Sequence, residues 1–366
     1  MIRREDLVKK FGKKMVSPFK LDPELTAYCP QENVALLQHP KVKKMHKTVL
    51  EKYSPPSEIV NNPSEKNVLL MIPCQAVKPY ILSVEHLVLN YFLIFKSGFK
   101  PISERFYPPE ELIENCKWFI KQGIEVYNMI DEREMQIAST NDIKTLLYNG
   151  PLRNEDGIII HRAVLSEPMG IVPYDLIYYI DGEMSPAAQY DDPGLFETRP
   201  WLGLCPWRDD CTGTFNSKGL PIWGDNERKA YCYVHNYLVK EVISNFILKN
   251  EKYYGKLIAY VGLSLTHRSF ISSKEEKREE NLKSFRRVKR KKIKLLGVND
   301  ILKEKGLQKQ VILVPRKREF NKILRRPNRK TLYKRLSTLN FEKYIDNPEL
   351  LMMDTLELLL ARILGG

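Results

Sequence analysis

Asn67-Val-Leu-Leu-Met-Ile-Pro73 is apolar from its second position on, is closed by proline, and leads directly into Cys74-Gln-Ala-Val-Lys-Pro-Tyr80. A run this short, entered from the polar loop Asn61–Glu65, has strand rather than helix length. Its lack of apolar–polar alternation places it in a sheet covered on both faces, as parallel sheets are. Two later runs read the same way, Asp156–Ser166 (DGIIIHRAVLS) and Lys256–Leu265 (KLIAYVGLSL). Helical patterns separate them at Val84–Phe95, Glu110–Gln122 and Leu238–Leu248, and Gly123–Asn128 is a short strand candidate. Strands alternating with helices predict an α/β layered core, its sheet mostly parallel and flanked by helices. Ligands bind such sheets beyond the carboxyl ends of the strands. There the first run opens into Cys74–Tyr80 and the second into Ser166-Glu-Pro-Met-Gly-Ile-Val-Pro173, while the third ends near Thr266-His267-Arg268, which can join the same cleft.

Outward from this core the chain divides into three parts: a helical arm over 1–60, a catalytic core over 61–272 with an insertion at 194–220, and a basic, mostly helical extension over 273–366. In the arm, Ala35–Tyr53 has helical spacing and stops at Ser54-Pro55-Pro56. In the extension, Val311–Val314 is a short strand candidate, and Glu349–Leu364 is an apolar helix that either docks on the core or binds a partner helix. With 366 residues, 43% of them hydrophobic, the chain can bury a sizeable core. No apolar run reaches membrane-spanning length and the N-terminus lacks an apolar signal segment, so a cytoplasmic protein with no membrane partner is expected. Six cysteines in a chain of this length suit reduced thiols or a metal site better than a disulfide scaffold.

The net charge of +14 is unevenly placed. Between Asn281 and Arg335 there are 21 Lys/Arg against three acids, while the rest of the chain is close to neutral. Such a segment points to a polyanion, and nucleic acid is the commonest one. Arg286, Arg287, Lys289, Arg290, Lys291, Lys292, Arg325 and Arg326 are the first candidates for phosphate contacts.

The stretch Pro73-Cys74-x3-Lys78-Pro79-Tyr80-x2-Ser83-x2-His86 gathers a thiol, an amine, a phenol, a hydroxyl and an imidazole after a buried strand. A cysteine at a strand end near Lys and His is a candidate nucleophile. Ser83 is placed to cap the following helix. Each residue alone has an ordinary structural reading; the set together favours a site. The string resembles the signature of the archaeosine synthase family, archaeal tRNA-modifying proteins related to tRNA-guanine transglycosylases. His39–Pro56, Val164–Leu176, Pro186–Asp192 (PAAQYDD) and Ile222–Glu227 (IWGDNE) resemble further parts of that family, so the likeness runs over roughly His39–His267.

The resemblance implies an activity: addition of an amine, lysine in the current view, to the nitrile of 7-cyano-7-deazaguanine at position 15 of tRNA. A radical SAM lyase partner then leaves the amidine. It also implies roles. Cys74 would form a thioimidate, Lys78, Tyr80 or His86 would protonate the nitrile nitrogen, Asp191 would orient the incoming amine, and Ser83 completes the set. The stretch before the core is too short for a transglycosylase barrel. A stand-alone core is therefore expected, its RNA-binding surface coming from the basic segment or from a transglycosylase-like subunit. A non-catalytic tRNA-binding subunit is the alternative.

Cys205-x5-Cys211 and Cys232-x2-His235 offer three thiols and one imidazole, a donor set suited to a structural zinc. The competing reading packs Cys232 in a helix core and leaves the other two only locally paired. Trp201, Trp207 and Trp223 surround the insertion and suit either its core or base stacking. His46 and His161 read as structural.

Overall fold

The computed structural model describes residues 5–6, 15–131, 139–191, 202–263, 266–282, 295–339, 345 and 347–365. Its strands are β1 (Ser64–Pro73), β2 (Lys100–Pro101), β3 (Leu152–Arg153), β4 (Ile159–Ser166), β5 (Gly170–Pro173), β6 (Tyr179–Ile180), β7 (Glu183–Met184), β8 (Thr214–Phe215), β9 (Pro221–Ile222), β10 (Tyr254–Tyr260) and β11 (Val311–Val314). Seven form one mixed sheet in the order β11-β10-β1-β4-β3-β2, with β5 also on β4. The heart of it, β11-β10-β1-β4, is parallel. The remaining pairs are antiparallel, and β6–β7 and β8–β9 are separate small hairpins. The chain is thus α/β with a mostly parallel sheet, as the alternation of strands and helices implies.

Strand β1 is central, paired on both edges, and every residue from Asn67 to Pro73 is buried. That is the environment its continuous apolar run requires. Helices Val84–Tyr91, Lys117–Ile130 and Met353–Leu364 cover one face; Pro40–Lys47, the helical stretch from Asp225 to Asn250 and Val298–Glu304 cover the other. Alternation on β4 sorts its polar residues accordingly. Arg162 goes to one face, bonded to Asn90 Oδ1 at 2.6 Å and to the carbonyls of Tyr148 and Gly150 at 2.7 and 2.9 Å. His161 goes to the other, between the Tyr254 hydroxyl at 2.6 Å and Asp175 at 3.0 Å.

Gly123–Asn128 is not a strand. It lies inside helix Lys117–Ile130, where Ile120, Gly123, Val126, Tyr127 and Ile130 form the buried face. A window of six residues hides that helical period. The apolar C-terminal helix docks on the core, with Leu356, Leu359 and Ile363 buried in the main cluster. Val311–Val314 is a strand, and it supplies the fourth parallel member of the sheet. The C-terminal region and the core therefore share one hydrophobic interior.

The connections set the location of the site. From β1 the chain crosses to β4 on one side, whereas from β10 it crosses to β11 on the other. The crevice between the carboxyl ends of β1 and β10 is the topological switch point, where open parallel sheets bind ligands.

Candidate active site

Three strand ends deliver three side chains to that crevice. Cys74 follows β1 directly, and its amide donates to Leu165 O at 2.8 Å, extending the β1–β4 ladder by one residue. Glu167 lies in the turn joining β4 to β5. That turn closes at Gly170, where φ is +76° and an added Cβ would meet Val242 at 2.7 Å, so backbone and packing both require glycine. His46 steadies the same turn, its Nε2 3.0 Å from Pro168 O. His267 opens the helix Thr266–Ile271 after β10. The next residue, Arg268, anchors that helix through Glu280 and the Val261 carbonyl.

His267 Nε2 lies 3.3 Å from Cys74 Sγ and 3.3 Å from Glu167 Oε2. Burial pushes the Cys74 thiol up. The facing His267 charge and hydrogen bond, with the Lys78 ammonium, outweigh burial and bring it down to about 6. Burial likewise lowers His267, but Cys74 and Glu167 together raise it to about 10. At neutral pH the pair is a thiolate facing an imidazolium. Cys74 keeps 9% of its surface exposed, while Glu167 keeps 2%. The thiolate is thus the group a ligand meets, with the carboxylate behind.

Lys78 is fully buried, donating to Gln75 O at 2.9 Å. Its ammonium sits 3.7 Å from the centre of the Tyr80 ring and 4.3 Å from that of Tyr190, a cation held between two π faces. The Tyr80 hydroxyl meets Ser166 Oγ at 2.9 Å, and Ser166 Oγ meets the Tyr190 hydroxyl at 2.7 Å. Burial raises both phenols well above their ordinary range, so they stay protonated. Asp191 follows Tyr190, is fully buried, and exchanges backbone hydrogen bonds of 2.9 Å with Leu25 and Ala27.

His86 and Ser83 lie one step behind this group. His86 Nε2 donates to Pro73 O at 3.0 Å, so Nδ1 is the acceptor for the Tyr174 hydroxyl at 2.8 Å. Burial, aided by Arg162 and Lys78, lowers its pKa to about 3. A neutral ring thus braces the end of β1 from below. Ser83 Oγ caps the helix, accepting from the His86 amide at 3.4 Å. Of the six residues singled out from the sequence, Cys74, Lys78 and Tyr80 converge directly. Ser166 and Glu167 join them from the end of β4, His267 from the helix after β10, and Tyr190 from the residue that ends helix Pro186–Gln189. Ser166, Glu167 and His267 share one sequence signal, a position at or after a buried run, Tyr190 lies in the PAAQYDD stretch, and all four are far from Cys74 in the chain.

The four proposed zinc donors do not meet. His235 Nε2 bonds Ser269 Oγ at 3.0 Å, and Cys232 packs with Tyr231 and Leu295. Cys205 lies elsewhere, against Tyr28 and Cys29. Trp207 and Trp223 are half-buried and donate to Glu32 at 3.4 Å and Gly203 O at 3.0 Å, as core members of the insertion would. Trp201 lies outside the described residues. So do Arg286, Arg287, Lys289, Arg290, Lys291 and Lys292. Arg325 and Arg326 are exposed beside helix Lys317–Leu324, and Arg326 pairs with Asp354 at 2.7 Å.

Over 116 residues the chain is 29% identical to the archaeosine synthase subunit alpha of Thermococcus kodakarensis, which covers 31% of this chain and 19% of that protein. No family model and no solved structure matches. No helix among the described residues is long and apolar enough to cross a membrane.

Proposed function

We propose that this protein acts in tRNA modification on the path to archaeosine, adding an amine, lysine in the first instance, to the nitrile of 7-cyano-7-deazaguanine in tRNA. The observation that carries this reading is the buried Cys74–His267–Glu167 group at the switch point of the sheet. The partial likeness to an archaeosine synthase subunit supports the choice of substrate.

The chemistry follows from the protonation states. A nitrile carbon accepts a nucleophile when its nitrogen can be protonated. The Cys74 thiolate attacks that carbon, and the imidazolium of His267 passes its proton to the nitrogen, giving a thioimidate and neutral imidazole. The incoming amine then adds to the same carbon and gives up one proton to His267. Collapse expels the thiolate and leaves an N-substituted amidine. Glu167 holds the His267 ring and balances its charge through the cycle. Lys78 keeps the leaving sulfur anionic. The Tyr80–Ser166–Tyr190 hydroxyl chain holds the two rings against the Lys78 ammonium.

Nucleoside mass spectrometry of tRNA bearing the cyano base, after incubation with protein and lysine, tests this. A lysine adduct is expected, and acid-quenched protein should carry RNA covalently through Cys74. Full turnover by Cys74→Ala removes the covalent step; no adduct from the wild type removes the transferase reading. The relative's designation as a subunit supports a second reading, a tRNA-binding subunit without turnover of its own. Intact tRNA binding with no adduct would favour it.

A further inference from the structure

The insertion that fails to meet Cys232 and His235 meets another part of the chain. Helix Pro30–Leu36 starts at Cys29, whose side chain makes no capping hydrogen bond, and Glu32 lies in the first turn. Cys29-x2-Glu32 thus points a thiol and a carboxylate from one helix start toward the loop carrying Cys205. Cys29 Sγ, Cys205 Sγ and a Glu32 carboxylate oxygen all lie within 4.8 Å of one another. Both cysteines keep 1% of their surface exposed, and Tyr28, Leu202 and Trp207 wall them in.

We propose that Cys29, Glu32 and Cys205 bind a zinc ion that staples the insertion to the N-terminal arm.

Tetrahedral zinc holds thiolates at ~2.3 Å and carboxylate oxygens at ~2.0–2.2 Å, which sets neighbouring ligand atoms roughly 3.5–3.8 Å apart. The observed spacing needs only small rotamer adjustments to reach that. Glu32 is already oriented: its Oε2 accepts from the Tyr28 amide at 2.8 Å, and Trp207 Nε1 lies 3.4 Å from Oε1. Such outer partners fix metal-bound carboxylates. The neighbouring cation, Arg208, is engaged by Asp210 at 2.7 and 2.8 Å.

The fourth position falls to water or to Cys211. Cys211 is half-buried on the same loop and lies outside the triplet. A second tie runs alongside. Glu227 accepts from the Thr212 amide at 3.0 Å and from Gln31 Nε2 at 2.6 Å, joining the loop to the same helix. This proposal is independent of the tRNA reading.

The test is the metal content of full-length protein expressed with zinc, measured by plasma mass spectrometry, together with cobalt substitution. About one zinc per chain is expected, with a thiolate-to-cobalt charge-transfer band. Cys29→Ser and Cys205→Ser should lose both signals. Cys74→Ser, Cys232→Ser and His235→Ala should keep both, which separates this site from the catalytic triplet and from the pairing suggested by sequence spacing. Cys211→Ser weakens the band if the thiol is the fourth ligand and leaves it unchanged if water is; either supports the site. Zinc far below stoichiometry in folded wild type, or a Cys29–Cys205 disulfide in metal-free native protein, would overturn it. So would zinc retained by Cys29→Ser.

Discussion

Replacing His267 by glutamine should move the ionisation of Cys74, and the size of the move follows from the geometry. In the native protein the thiol titrates at about 6 because the imidazolium 3.3 Å away outweighs burial. The gap to an ordinary thiol near ~8.5 corresponds to roughly 3 kcal/mol favouring the thiolate. Glutamine keeps a polar group in place and removes the charge. Burial then dominates, and the midpoint should rise to 8.5 or higher.

A single alkylation rate would hide this. At pH 7 the thiolate fraction falls from about nine-tenths to a few hundredths, roughly thirtyfold. The more basic thiolate is intrinsically about tenfold more nucleophilic at a Brønsted slope of ~0.4–0.5, so the net rate changes only about threefold. The pH profile of iodoacetamide alkylation, followed by intact mass, is therefore the assay. The signs set its window. His267, raised to about 10, contributes stability that is complete below its unfolded value of ~6.5 and lost as pH rises through 10. Cys74, lowered to about 6, contributes stability present above ~8.5 and lost as pH falls through 6. The ion pair should thus persist from about pH 6, read as the rise of ultraviolet thiolate absorbance, to about pH 10, read from the His267 ring proton shifts. A wild-type midpoint at 8.5 or above, or one that His267→Gln leaves in place, would refute the reasoning.

Four further outcomes are expected. Ser166→Ala breaks the hydroxyl chain between Tyr80 and Tyr190 and should cost ~1–3 kcal/mol in urea unfolding, while the Cys74 midpoint stays near 6. Gly255→Ala puts a Cβ 2.0 Å from the Glu65 carbonyl, where the β1–β10 register slips, and should destabilise by ~1–3 kcal/mol or more in the same assay. Arg325→Ala should weaken binding of all tRNAs alike and reduce the salt slope by about 1, with an unchanged melting temperature. Arg326→Ala, which strips Asp354 of a partner, should lower the melting temperature as well.

The parallel sheet was legible because its strands are buried on both faces and so appear as unbroken apolar runs. The site was legible where it is contiguous, from Cys74 to Tyr80. Glu167 and His267 follow buried runs too, but pairing them with Cys74 depends on β4 and β10 flanking β1, and strand order leaves no local mark on composition. His86 shows the converse. Its place in the motif suggests chemistry, whereas its surroundings, a carbonyl on one nitrogen and a phenol on the other, are those of a neutral brace. The cysteine pairing failed for a related reason: Cys232 and His235 share a helix, but that helix presents them to Leu295 and Ser269 rather than to the loop.

Lys277 gives the basic stretch a particular topology. Its buried ammonium, lowered by burial to about 7, donates to the carbonyls of Leu295 and Leu296 at 3.3 and 2.8 Å. It lies on helix Lys274–Glu279, so one side chain ties the helix after His267 to Leu295 and Leu296 ahead of helix Val298–Glu304. The segment 283–294 belongs to the crossover between β10, which leads into His267, and β11 beside it. The strand that brings His267 to the thiolate is thus the one whose onward connection carries eight Lys/Arg in twelve residues of sequence.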